Sequence, residues 1–411
     1  MARKPGRLGS PLRLKRLPIH QHTNTPYVIA TISSLPNIIQ NPTTTLPRMQ
    51  LVTSNSEAFL RRYLNNASPT GFESEGQKLW LEYIMPYIDE WKLDNYGTAY
   101  GIVNPGHDFK VVIEGHADEI SWFVNHISDD GFLHVIRNGG SDFQIAPSMR
   151  VWVHLRNGEK IQGVFGWPAI HTRTDKDANL APAIDTITID LGAKDREEVV
   201  KLGVHVGCVV TFQDEFTVLN DRYYTGRALD NRIGGFCIAE VARLLKENKI
   251  VLPYTLYIVN SVQEEVGLRG AEMITQTIKP NVAIVTDVTH DTHTPMVNIK
   301  KHGDIRTGNG PSVTYAPAVH QKLLDLIVDT ALEKEIPFQR EAASRVTGTD
   351  TDAFAYSNGG VPAALISLPL RYMHTTVEMA HKDDVNNLIR LIYESLQKIK
   401  NNHDFKYFSS I

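Results

Sequence analysis

Apolar and polar positions change their period twice along the chain. SNSEAFLRRYLNNAS opens with Ser54, Ser56 and Glu57, then sets Phe59, Leu60, Tyr63 and Leu64 on one face, which predicts a capped amphipathic helix. A second helix, GQKLWLEYIMPYI, follows the Pro69-Thr70-Gly71 break, and KVVIEGHADEI then reads as a buried strand, Val111 to Ile113, running into polar residues. Between about 122 and 220 the period shortens. SWFVNHI, GFLHVIRNGG, MRVWVHL, KIQGVFG, TITIDLG and CVVTFQD are rich in Val, Ile, Phe and Trp and are punctuated by Gly and Asn-Gly turns, the spacing of a small all-β barrel or sandwich. From about 222 helical and apolar-strand runs alternate again: RIGGFCIAEVARLLKE, YTLYIVNSV, NVAIVTDV, VHQKLLDLIVDTALEK, AALISLPL and DDVNNLIRLIYESLQKI. Such alternation predicts an α/β layer domain with a largely parallel sheet, in two pieces around an inserted β domain.

Length agrees with two folding units, since 411 residues exceed the roughly 250–300 at which one core stops growing. A formal net charge of −4 excludes a basic nucleic-acid binder on bulk charge. That charge is uneven. Residues 1–50 carry seven basic residues, no acidic one and seven of the 21 prolines, which leaves −11 for residues 51–411 once their +7 is taken from −4. The segment reads as poorly ordered, lacks the apolar stretch of a secretory signal, and is too proline-rich for the amphipathic helix of a transit peptide. Helical patterning begins just after Met49, so Met49 is expected to open the functional protein. Two cysteines, Cys208 and Cys237, cannot build a disulfide framework, which fits a reducing, cytoplasmic setting, and no run of about 18 apolar residues predicts a membrane helix.

Four strands of the α/β pattern end in side chains that bind metals or move protons. VVIEG ends in His116-Ala117-Asp118, YTLYIVNSV in Gln263-Glu264-Glu265, NVAIVT in Asp287, and AALISLPLRYM in His374; Asp230 lies in the turn before a helix. Alone, each has an ordinary reading: Asp230 as a helix N-cap, Glu264-Glu265 as a solvated turn, His116 and His374 as hydrogen-bonded histidines. Together they would meet in the crevice beyond the carboxyl ends of the strands, where open α/β sheets bind ligands. Mixed imidazole and carboxylate ligation suits Zn, Co or Mn better than Ca or Mg. Asp118, two residues after His116, is placed to accept the other ring N–H, and Glu264 and Glu265 to divide the roles of base and ligand. Other templates fail: there is no HExxH, no GxxxxGK[ST] and no GxSxG.

GHADEIS, RALDNRIGG, NSVQEEVGLRGA, VTDV and RYMHTTVE, in that order, resemble the M42 metallo-aminopeptidases, the glutamyl/leucyl type of the tetrahedral "TET" complexes, some of them labelled cellulase or endoglucanase. The resemblance runs from about residue 55 to 400 and has no counterpart for residues 1–50. It implies a two-metal peptidase that removes N-terminal residues from short peptides. Asp230 would bridge the ions, His116 and Asp287 would complete one, Glu265 and His374 the other. Glu264 would be the general base and Asp118 the residue that orients His116, with Glu378 a candidate for a similar role. It also implies a catalytic domain over 51–121 and 221–411, and an inserted PDZ-like β-barrel over 122–220 through which dimers form on the way to a hollow dodecamer. His126, His134, His154 and His171 of the insert are read as structural. The alternative function is a related di-zinc deacylase or carboxypeptidase; a metal-free glucanase fits poorly, because the paired acids come with two histidines.

Overall fold

The computed structural model describes residues 51–174 and 181–408, and the basic leader expected over 1–50 lies outside them. The first helix spans Ser54–Asn65, capped by Thr53, whose hydroxyl accepts the Ser56 N–H while the Ser56 hydroxyl accepts the Thr53 N–H. Its apolar face, Phe59, Leu60, Tyr63 and Leu64, is buried as the spacing predicts. The second helix, Ser74–Ile84, continues into one tighter turn at Met85–Tyr87.

Eleven strands among the described residues form one mixed sheet. Its order is Glu90–Leu93, Ala99–Val103, Thr255–Ser261, Lys110–His116, Val282–His290, Ala363–Arg371, Glu378–His381, Tyr223–Gly226 and Thr217–Leu219, with Ser312–Tyr315 and Gln339–Ala342 attached beside Ala363–Arg371. The four middle strands run parallel and the pairs to either side antiparallel, while Ser312–Tyr315 and Gln339–Ala342 pair parallel with each other. The parallel strands are buried along almost their whole length, so they read as unbroken apolar runs, not as alternation. Each fully buried Val, Ile or Leu stabilises the fold by about 1.5–3 kcal/mol relative to exposure.

One helix governs the site. Leu229–Glu247 is buried on every side as far as Leu245, so it passes through the core. It lies against the Lys110–His116 strand because three glycines meet there: a Cβ on Gly115 would fall 2.9 Å from the backbone of both Gly234 and Gly235. That contact sets Asp230, at the helix's start, beside His116 at the strand's end.

The inserted region closes into an antiparallel barrel of six strands in the order Ser121–Ile127, Leu133–Asn138, Thr188–Asp190, Lys160–Phe165, Arg150–His154 and Val209–Phe212. Here burial alternates, with Val124, Val135, Val151, Val153 and Val210 inside around Trp122 and Phe165. A short helix, Arg196–Lys201, capped by Asp195, and a single tight turn at Ile170–Thr172 are elements of this region that the strand pattern does not predict. Where the chain enters the barrel, the buried Glu119 carboxylate accepts the Ser68 N–H at 2.6 Å and pairs with Arg227 and Arg232. Among the described residues no helix is long and apolar enough to cross a membrane.

Candidate metal centre

Every expected site residue arrives at the carboxyl-end rim of the parallel strands. His116 is the last residue of its strand; Glu264 and Glu265 open the tight turn after Thr255–Ser261; Asp287 lies in the outer half of Val282–His290; His374 follows Ala363–Arg371. Asp230 is not the cap of its helix. The backbone at Asp230 and Asn231 departs from helical angles, and the Asn231 side-chain Oδ1 caps instead, accepting the Gly234 N–H at 3.2 Å. The Asp230 carboxylate is thereby left to face the site.

Its two oxygens face two histidines. Oδ1 lies 3.3 Å from His116 Nε2, and Oδ2 lies 3.1 Å from His374 Nε2. Asp287 Oδ1 is 4.0 Å from His116 Nε2, Glu264 Oε2 is 3.8 Å from the same atom, and Glu265 Oε2 is 3.6 Å from His374 Nε2. Single donor atoms of His116, Asp230 and Glu265 lie within 4.8 Å of one another.

A second set of contacts holds these side chains. Asp118, fully buried, has Oδ1 3.3 Å from His116 Nδ1 and accepts the backbone N–H groups of Glu264 at 3.0 Å and Glu265 at 3.2 Å. One carboxylate therefore orients the histidine and fixes the two-glutamate turn. Glu378 does the same across the site, accepting the N–H groups of Asp230 at 3.0 Å and His374 at 2.8 Å.

Electrostatics explain why this arrangement calls for cations. Burial and neighbouring acids push Glu264 up to about 11, Glu265 to about 8 and Asp287 to about 8. Burial works against the charged forms of His374 and Asp230 too, yet hydrogen bonds win: the one to Asp230 raises His374 to about 10, and those to His116 and His374 hold Asp230 well below the usual carboxylate range. Asp118, Asp230, Glu264, Glu265, Asp287 and Glu378 share this space with two imidazoles, so acids outnumber cations. The residues fit a divalent metal: mixed nitrogen and oxygen donors converge, and bound positive charge would relieve the repulsion.

Several contributors carry no local signal in the sequence. Thr70 donates its hydroxyl to Asp118 Oδ2 at 2.8 Å, and Glu73 Oε1 accepts the N–H of Gln263, beside the two glutamates, at 3.3 Å. Beneath His116, the Ser261 hydroxyl lies against both Glu114 and Asp350, two carboxyls with almost no exposure. Burial, then the Asp350 charge, pushes Glu114 well above the usual range. The polar run TGTDTDA around Asp350 was the available clue. The insert's His154 bonds Thr211 at 2.9 Å and its His126 and His134 rings face each other across two strands, none of them in contact with the site.

A family model described as "M42 glutamyl aminopeptidase" matches residues 98–391. The chain is similar to a lysyl aminopeptidase of Pyrococcus furiosus, 34% identical over 343 residues that cover 83% of this chain and 96% of the relative. It is similar in structure to a TET aminopeptidase from a marine sediment Thaumarchaeota archaeon, with a TM-score of 0.80 at 29% identity over 85% of this chain and 98% of the other. The Pyrococcus horikoshii TET1 peptidase, which can assemble into a tetrahedron or a large octahedral shell, aligns with a TM-score of 0.72 at 25% identity over 82% and 98%.

Proposed function

The chain belongs to the M42 glutamyl aminopeptidase family, an enzyme of the aminopeptidase class, and from that premise we propose that it removes single residues from the free N-termini of short peptides at a two-metal centre. The observation that carries the reading is the Asp230 carboxylate, with one oxygen toward His116 and the other toward His374. In this reading Asp230 would be shared between the ions, with His116 and Asp287 holding one and Glu265 and His374 the other. Two divalent ions held there, Zn or Co with Mn also suited, would supply Lewis acidity toward the scissile carbonyl and the attacking water.

The chain's own groups do the rest. Glu264 Oε2 takes the proton from the attacking water and returns it to the leaving amine. Its carboxyl rises to about 11 chiefly through burial, and divalent charge held nearby would favour the ionised form a base requires. Asp118 keeps His116 in one ring orientation and holds the Glu264 backbone, so base and ligand stay in register.

The inserted barrel is assigned to dimer formation, with dimers building a hollow dodecamer. This assignment is supported by the assembling TET1 relative and by Phe132, Ile136, Val164 and Val206, which stand exposed on the barrel. The chain's two buried free cysteines, Cys208 and Cys237, suit the cytoplasm. The test is hydrolysis of a panel of aminoacyl-p-nitroanilides by metal-stripped protein with and without added Co or Zn. Activity is expected only with metal and only on the free amine. Faster turnover of N-acetylated substrates would favour the deacylase or carboxypeptidase reading instead.

A further inference from the structure

We propose that the barrel turn Asn138–Ser141 is a wall of the catalytic site, and that Gly140 is a positioning residue for His374. The inference rests on the two-metal reading above for what His374 does. A Cβ built on Gly140 would lie 2.6 Å from both Cε1 and Nδ1 of the His374 ring. Gly140 is not among the glycines with positive φ, so its backbone conformation does not demand glycine. The close approach of the ring does. The ring has little freedom to retreat, because Nε2 faces Asp230 Oδ2 at 3.1 Å, and the residue's own N–H is held by Glu378 at 2.8 Å.

The adjacent glycine supports the same assignment. A Cβ on Gly139, which does lie at φ +78°, would fall 3.1 Å from the Glu265 Cβ and 3.2 Å from Ile120. The two glycines therefore touch Glu265 and His374, the two residues assigned to the same metal. The turn itself is anchored. Asn138 Nδ2 donates to the Thr70 carbonyl at 2.9 Å and to the Ser121 hydroxyl at 2.8 Å, and the Ser141 hydroxyl donates to the Ser121 carbonyl at 2.6 Å. Thr70 in turn bonds Asp118. The barrel thus reaches the centre by two routes: directly at His374 and Glu265, and through Thr70 at Asp118. An outer support of this kind is worth about 10–100-fold in metal affinity.

Gly140→Ala is the variant to make, with Gly166→Ala as control, since Gly166 is also in the barrel, also lacks a positive φ, and has no atom within 4 Å of a built Cβ. Metal-free proteins are titrated with Co, followed by visible absorbance, and kcat and KM are measured separately. Gly140→Ala is expected to weaken Co binding roughly tenfold or more and to lower kcat, while Gly166→Ala behaves as the parent. Should Gly140→Ala fold poorly, a double variant decides. His374→Ser removes the obstructing ring, so His374→Ser with Gly140→Ala should melt and bind Co as His374→Ser does alone. Parental Co affinity in Gly140→Ala, or losses that simply add in the double variant, would overturn the inference while leaving the two-metal reading intact. Unchanged Co binding in His374→Ser would instead remove that reading, and this inference with it.

Discussion

At the amino ends of the strands Lys110–His116, Val282–His290 and Ala363–Arg371 lies a cavity of about 590 Å3, lined by Phe109, Pro280, His320, Pro362, Phe405 and Tyr407 among others. At the carboxyl ends of the same strands the pocket beside Asp230, Glu265 and His374 measures about 20 Å3. The larger space has the poorer chemistry. Its His320 ring stacks on Tyr407, with centroids 4.5 Å apart, and burial lowers its pKa, so it is a neutral imidazole among aromatic rings. The smaller space is lined by the His374 imidazole, the carboxyls of Glu119, Asp230, Glu265 and Glu378, and the Arg227 guanidinium. Volume does not mark the reactive end. In a parallel sheet the loops that follow the strands gather side chains from distant segments at one rim, and here that rim received the acids.

The sharpest way to break this contrast is at Glu264, the proposed base. Glu264→Gln should lower kcat by about 10²–10⁴-fold while the protein still binds Co. Full activity with metal bound would take the proton-transfer role from Glu264. Next in size is Asp118→Asn. It should weaken metal affinity by about 10–100-fold, because the amide cannot serve the His116 ring and both glutamate N–H groups as the carboxylate does; calorimetric titration measures this.

A third test concerns what the acidic rim does to stability. Burial, then the Asp118 charge, raises Glu73 to about 7 from an ordinary value of 4.5. The folded state therefore holds its proton longer than the unfolded chain, and stability present below about pH 4.5 is lost as pH rises to about 7. Glu73→Gln keeps the carbonyl that accepts the Gly71 and Gln263 N–H groups and removes the titration. Urea midpoints of the metal-free variant should be flatter across that window than those of the parent; equal slopes would contradict the assignment. The smallest effect belongs to the other rim. Tyr407→Ala should leave kcat/KM within about twofold and reduce stability by under about 1 kcal/mol. A tenfold fall in kcat/KM would make the large cavity part of the substrate's path.

Element types were well marked along the chain. VVIEG, YTLYIVNS and NVAIVT each carry an unbroken apolar stretch (VVI, LYIV and VAIV) and became the buried parallel strands, whereas MRVWVHL alternates and became a barrel strand with one face inside. His116, Asp230, Glu264, Glu265, Asp287 and His374 were recognisable because they are the residue types that bind metals, each at an element's end. The cap at Asp230 was ambiguous for a local reason: Asp and Asn are adjacent and either can cap. Only the structure shows that Asn231 caps and Asp230 faces the histidines.

The sequence by itself determined the period of each segment, and so its element type, its buried face and which segment forms the insert, because these follow from neighbours three or four residues apart in helices and two apart in strands. It also determined the set of ionisable groups available at strand ends. The tertiary structure alone decided how they meet: the glycine contact that sets Asp230 beside His116, the grip of Asp118 on the Glu264–Glu265 turn, and the approach of Gly140 to the His374 ring. Those relations join residues far apart in the chain through distances of a few ångströms, and no local pattern of polarity encodes a distance of that kind.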